Sequence, residues 1–380
     1  MNLFQRIEVK GDSVTIHPPL FKKIKGHTLV SYLKEPCISH TTDSHLSGHS
    51  NRWESREIAR SFAAMGYITD VIDWDNKAFI PKESYDVIFD IYSRFYEWKG
   101  LLNSNTKKLL HLTGSYPLYQ NNAEKREAKK FEQRTGVRYL LKRQVSDVKA
   151  ACESIKLANR CSLLGNKHTL LTYPSNLRSK IYTLPVSSSY LKFHKPSKYV
   201  PNRYEFLWCF GSGAVHKGLD KTIEVFLQEK DIYLHIVGNV EDDAPFWKAY
   251  REKIEKSPNI TYHGFLHPDS NELIKVVKRC FCFIAPSCSE SMSTSVATCL
   301  EVGLYPIISK DTGISLPAGC GLYLDNLSIN EIKAKIDELK SYSDVRITEE
   351  IKTIQTYALE EYSRKKFSKN IRNYLHEALS

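Results

Sequence analysis

No stretch of this 380-residue chain approaches the roughly 18 apolar residues that a membrane-spanning helix needs. The opening MNLFQRIEVKGDSV also has no apolar segment behind a basic flank. We therefore expect neither a membrane span nor a secretion signal. Paired cysteines are missing as well. The nine Cys are scattered, without a CxxC pair or a His at zinc-ligand spacing, which excludes a disulfide scaffold and suits a reducing cytoplasm. No internal repeat is visible. With 42% apolar and 26% charged residues, the composition excludes a disordered or collagen-like chain. At roughly 100 to 200 residues per domain, the length favours two domains.

Positive charge is what the chain has in excess. Its 54 Lys plus Arg against 43 Asp plus Glu give +11, which points to an anionic partner. The surplus is densest over residues 124–149, where Lys125, Arg126, Lys129, Lys130, Arg134, Arg138, Lys142 and Arg143 outnumber the acids. Much of this run reads as one helix. Either its charges form a solvated face, or residues 125–143 meet anionic lipid or a charged acceptor. Aromatics are not interleaved with the charges as base-stacking platforms require, and no nucleic-acid motif is visible, so no nucleic-acid partner is expected.

Short apolar runs alternate with amphipathic stretches, the pattern of α/β layers. In the first half we expect a helix over 51–65, stopped by Gly66, and strands at 67–74, 85–91, 108–113 and 181–185. Residues 186–204 are rich in Ser, Pro and Lys and lack a period, as a linker would. In the second half, the strand 206–210 (FLWCF), the loop GSGAVHKG, a helix over 219–229 and the strand 232–237 make a βαβ unit. A strand at 260–262, a helix at 271–278 and the apolar strand 280–285 (CFCFIA) follow, then a helix ending before Gly303 and a strand at 306–309. The expected fold class is α/β, two Rossmann-like domains facing across a cleft. Its parts are a first domain 1–190, a linker 191–204, a second domain 205–350 and a last helix within 351–380 that returns to the first domain.

Ligands bind such sheets at the carboxyl ends of the strands. In GSGAVHKG, Gly211 and Gly213 would let the backbone approach a ligand, with Ser212 between them, and Lys217 offers a charge for phosphate near a helix start. The loop has neither GxGxxG nor P-loop spacing, and a tight turn with a solvated Lys accounts for it equally well. In CSESMSTSVATCLEVG, Glu290 precedes a helix start rich in hydroxyl residues. Amides of Ser293, Thr294 and Ser295 would hold a diphosphate while Glu290 accepts hydrogen bonds from sugar hydroxyls. The plainer account makes Ser293 or Thr294 an N-cap and Glu290 an exposed acid contributing only dipole energy.

The order of these pieces, from FGSGAVHKGLD (210–220) through LHIVG ending at Gly238, NITYHG (259–264) and FIAPS (283–287) to the stretch from Glu290 through Gly303 to Ile308, resembles the nucleotide-sugar domain of GT-B glycosyltransferases, specifically the large retaining family four. Thr298 stands where that family has a second Glu, which in the family holds the nucleotide ribose; Glu301 lies one helical turn on. Ser212 stands where the family commonly has an Arg, and Tyr305 reads as one inserted residue. The resemblance implies Glu290 and Lys217 as catalytic residues. It implies a donor site of Gly211, Ser212, Gly213, Lys217, Gly238, Glu290, Ser291, Met292, Ser293, Thr294, Ser295 and Thr298. The first half is similar to the acceptor domain of the same fold. There Gly48, His49, Ser50 and Arg52, and the loop Thr113, Gly114, Ser115 and Tyr116, would line the acceptor side. His49 reads equally as a loop His bonded to backbone, and we set His111 aside as a base because it falls within a strand.

The expected activity is transfer of a sugar from a nucleotide-diphosphate sugar to a hydroxyl of a saccharide or lipid-linked saccharide, with retention, without metal or cofactor. The resemblance places it in bacterial cell-surface polysaccharide synthesis, in the cytoplasm or peripherally on the inner membrane face. A nucleotide-sugar epimerase of the same fold and a non-enzymatic anion or nucleic-acid binder are the alternatives. The missing acid/base carboxylate pair counts against a hydrolase.

Overall fold

The computed structural model describes residues 6–38, 43–81, 83–189 and 202–380. The chain divides into two compact units, Met1–Thr113 with Ser146–Ser187 and Arg364–Ser380, and Gly114–Val145 with Ser188–Ser363. This division differs from the expected boundaries in that Gly114–Val145 groups with the second unit. The expected linker lies, as far as residue 201, outside the described residues.

The first unit is built on an eight-stranded sheet. Its strands are β1 (Ile7–Lys10), β2 (Ser13–Ile16), β3 (Gly26–Tyr32), β4 (Tyr67–Asp73), β5 (Val87–Asp90), β6 (Lys107–Leu112), β7 (Arg160–Leu164) and β8 (Ile181–Leu184), in the order β1-β2-β4-β3-β5-β6-β7-β8. From β4 to β8 every pairing is parallel, and the β1–β2 hairpin adds to the β4 edge antiparallel. Helix Ser50–Ala64 follows β3 and buries Ile58, Ala59 and Phe62, with Phe62 edge-on to Phe89 of β5 at 5.9 Å. The last helix, Arg364–Leu379, packs on it through Phe367, whose ring lies 5.7 Å from Trp53. The single C-terminal helix expected within 351–380 is two, Asp344–Glu361 in the second unit and Arg364–Leu379 in the first.

The second unit carries β9 (Glu205–Cys209), β10 (Tyr233–Val237), β11 (Ile260–Tyr262), β12 (Cys282–Ala285), β13 (Tyr305–Ser309) and β14 (Leu322–Leu324), all parallel, ordered β11-β10-β9-β12-β13-β14. That is the 3-2-1-4-5-6 order of a dinucleotide-binding sheet, whose direction of winding reverses between β9 and β12. Phe206, Leu207, Trp208 and the whole of β12 are buried, as a central parallel strand requires.

Helix Pro117–Thr135 packs in this unit, with Phe131 fully buried 5.2 Å from the Tyr139 ring. Two ion pairs fasten it: Lys221 to Glu127 at 2.8 Å with both side chains buried, and Arg134 to Asp220. The basic run is therefore not one solvated helix. It stops at Gly136, which has φ +69°, and residues 137–147 are irregular before the next helix, Val148–Leu157. No helix among the described residues is long and apolar enough to cross a membrane.

Candidate active site

The reversal between β9 and β12 puts the loops after these two strands side by side, which is where ligands enter a doubly wound sheet. Those loops are residues 210–218 and 286–293, the two that carry Lys217 and Glu290. They are laced together. The Cys288 amide donates to the His216 carbonyl at 2.9 Å, and His216 Nε2 donates to the Ser289 carbonyl. Nδ1 is then left to accept from the Cys288 thiol at 3.7 Å. Burial keeps this His neutral and pushes the thiol up to about 12, so the lacing does not ionise in the ordinary pH range. Gly218 has φ +69°, and a Cβ there would stand 2.5 Å from the Pro286 carbonyl, so only glycine lets the two loops approach this closely.

Lys217 Nζ contacts the Glu290 carboxylate in an ion pair whose side chains are 8% and 10% exposed, and the ammonium also lies 5.0 Å from the Phe210 ring centre. Burial first, and the neighbouring Arg143 second, press the Lys217 pKa down. Glu290 is thus not the exposed acid of the plainer account but half of a buried pair. Its backbone is fixed on both sides: its amide donates to the Asp311 carbonyl at 2.8 Å, and its carbonyl accepts from Ser115 Oγ at 2.6 Å. Tyr119 donates to Asp311 Oδ1 at 2.6 Å, tying the same segment to the next strand's loop.

The other donor-side residues divide. The exposed Gly211 has open space where a Cβ would stand, so no close approach requires glycine there, and Ser212 is exposed beside it. Gly213 has φ +84°, and its Cβ position is filled at 2.9 Å by the side chain of Arg143. Ser291 and Met292 are buried, and the Ser293 amide already donates to the Thr312 carbonyl at 2.9 Å, which removes it from the amides a ligand could use. Helix Thr294–Glu301 starts without a side-chain cap from Ser293, so Ser295 stays in an uncapped first turn. Thr298 Oγ1 donates to the Thr294 carbonyl at 2.8 Å and accepts from the Ser189 amide at 2.9 Å, a structural role. Glu301 is buried. The Gly238 carbonyl at the end of β10 accepts from Tyr262 at 3.1 Å.

In the first unit the sheet order reverses between β3 and β5, and Gly48, His49, Ser50 and Arg52 all follow β3. His49 is the exposed N-cap of helix Ser50–Ala64, its Nδ1 accepting from the Asn51 amide at 3.3 Å, while Ser50 is buried and Arg52 donates to the His45 carbonyl at 3.2 Å. His111 is fully buried against Phe89, with Ser162 Oγ 2.8 Å from Nδ1, and burial lowers its pKa to about 3. It is a core residue. Thr113 is exposed at the end of the first unit, whereas Gly114, Ser115 and Tyr116 open the segment that belongs to the second.

Sequence reasoning counted Arg143 only as one member of a charge run. Its amide and that of Lys142 donate to Glu124 Oε1 at 2.7 and 2.9 Å, which aims the Arg143 stem over Gly213. No signal in the sequence links residues 143 and 213.

Among the described residues no group of three or more His, Cys, Asp or Glu is arranged to hold a metal ion. Residues 192–373 match the sequence profile of the family described as glycosyl transferases group 1. No curated protein matches the chain. Among solved structures, sucrose-phosphate synthase from Thermosynechococcus elongatus is similar with a TM-score of 0.62 at 13% identity, over 94% of this chain and 99% of that one. A glycosyltransferase from Rickettsia africae gives 0.59 at 13% identity, over 94% and 99%. A mutant of S. aureus TarM in complex with Fondaparinux, alpha-GlcNAc-glycerol and UDP gives 0.53 at 14% identity, over 77% and 55%. The chain has the GT-B fold of two Rossmann-like domains, and its residues 192–373 resemble the glycosyl transferases group 1 family.

Proposed function

We propose that the protein transfers a sugar from a nucleotide-diphosphate sugar to a hydroxyl of a saccharide or lipid-linked saccharide, with retention at the anomeric carbon. The observation that carries this reading is the Lys217–Glu290 pair at the reversal point of the second sheet. A diphosphate entering there takes over Lys217, and Glu290, released from the ammonium, accepts hydrogen bonds from the sugar hydroxyls. Lys217, Arg143 and the uncapped first turn at Ser295 then face the charge that grows on the leaving diphosphate, where preorganised donors lower the barrier most. The anomeric carbon–phosphate oxygen bond breaks, the acceptor oxygen bonds the same face, and the leaving phosphate oxygen takes the acceptor proton. This sequence calls on no protein base and no metal.

Gly114, Ser115 and Tyr116, held beside Glu290 by the Ser115 hydrogen bond, are proposed to meet the acceptor. A cytoplasmic role in bacterial cell-surface polysaccharide synthesis follows as part of the same proposal. Because one similar structure was solved with UDP, UDP-sugars lead the donor panel, ahead of GDP- and ADP-sugars. Incubation of the full chain with this panel should release the nucleoside diphosphate from at least one donor, and Glu290→Gln should cut that release at least about a hundredfold, roughly 2.7 kcal/mol of transition-state stabilisation. Release by the Gln variant at the wild-type rate would remove Glu290 from the chemistry.

A further inference from the structure

The turn between β2 and β3 reads Pro18, Pro19, Leu20, Phe21, Lys22, Lys23, Ile24, Lys25. Leu20 is fully exposed, and Phe21 and Ile24 are 66% and 58% exposed. Isolated surface hydrophobics are ordinary, but three within five residues of one turn, alternating with lysines, are not. The turn is fastened at both ends rather than left loose. The Lys22 amide donates to the Pro19 carbonyl at 2.8 Å, and the Lys25 amide donates to the Gly66 carbonyl at 2.9 Å. A Cβ on Gly66 would stand 2.6 Å from the Lys23 carbonyl, so the chain is seated tightly there. No Asp or Glu occurs between Asp12 and Glu35, so the three ammonium groups have no acid within their own segment.

We propose that this turn is a membrane-docking element. Leu20, Phe21 and Ile24 enter the interfacial layer of an anionic bilayer, and Lys22, Lys23 and Lys25 stay among the headgroup phosphates. Charge and depth favour a bilayer over a protein groove. A groove deep enough for the three apolar side chains would also have to desolvate the ammonium groups between them, whereas a bilayer leaves those in its hydrated headgroup layer. The basic helix Pro117–Thr135 is the weaker surface: Glu124, Glu127, Ala128 and Phe131 are packed inward, and the exposed Lys125, Arg126, Lys129 and Lys130 share their helix with one exposed apolar side chain, Leu118 at 50%, against three in the turn.

Co-sedimentation of the full chain with phosphatidylcholine vesicles, alone or with about 30% phosphatidylglycerol, tests this at two salt concentrations. Wild type should bind the anionic vesicles and release them as salt rises. A Leu20→Ser/Phe21→Ser/Ile24→Ser variant, altered only at exposed positions and checked by an unchanged melting temperature, should bind at least about tenfold more weakly. Lys22→Glu/Lys23→Glu/Lys25→Glu should lose the preference for anionic vesicles, at about fivefold per lysine. Lys125→Glu/Lys129→Glu should bind as wild type does. Failure of wild type to bind anionic vesicles, wild-type binding by either turn variant, or a loss confined to the helix variant would each overturn the proposal.

Discussion

At the scale of single residues, the buried state of Glu290 changes what its replacement should do. As an exposed acid at a helix start it would contribute only about 0.3 to 1 kcal/mol. As the partner of a buried ammonium it holds a charge that would otherwise lack compensation, so Glu290→Gln should lower stability by about 1 to 3 kcal/mol, read in the denaturant midpoint. Arg143→Ala should weaken diphosphate binding about tenfold, measured by calorimetry, while Arg143→Lys keeps part of it, since a single charge survives but the fork does not.

Glu54 gives a pH test. It is buried, accepts from the Ser187 amide and hydroxyl at 3.0 and 3.1 Å, and burial raises its pKa to about 7. A carboxyl whose folded pKa lies above the unfolded value binds more protons when folded, so its contribution is present at low pH and is lost as pH rises from about 4.5 through about 7. Glu54→Gln cannot titrate. Relative to wild type, its stability should therefore improve between pH 5 and pH 8 by on the order of 3 kcal/mol; melting temperatures of the two proteins that shift in parallel would contradict this.

At the scale of elements, the site rests on two loops that must touch. Gly218→Ala, with a positive φ and a carbonyl at 2.5 Å from the new methyl, should cost at least about 1 to 2 kcal/mol, whereas Gly211→Ala, with open space, should stay within about 0.5 kcal/mol in the same unfolding measurement. The same contrast shows what the sequence reveals. Strands such as β9 and β12 were legible because buried parallel strands are continuous apolar runs bounded by turn residues. The strand β3, GHTLVSY, was missed because its buried Thr28 and Ser31 interrupt the apolar signal, though both are at 0% exposure. Lys217 and Glu290 were found because each follows such a strand, and a loop after a strand is a local feature. Arg143 over Gly213, Ser115 on the Glu290 carbonyl and Tyr119 on Asp311 join residues 70 to 192 positions apart, and nothing local marks them.

At the scale of the whole molecule, the +11 charge is spread over surfaces with different neighbours. Within the basic run Arg134 pairs with the buried Asp220, the exposed Lys130 reaches the buried Glu127, and Arg143 is brought beside Lys217. The central claim is that Lys217, at the reversal point of the second sheet, is the primary contact of a nucleoside diphosphate. Calorimetric titration of UDP, GDP and ADP into wild type and Lys217→Ala is its most direct test. At least one diphosphate should bind wild type, and the variant should bind it about one to two decades more weakly, the equivalent of one charge-assisted contact of about 1.5 to 3 kcal/mol. Equal affinity in the two proteins, or no binding of any of the three to wild type, would contradict the account.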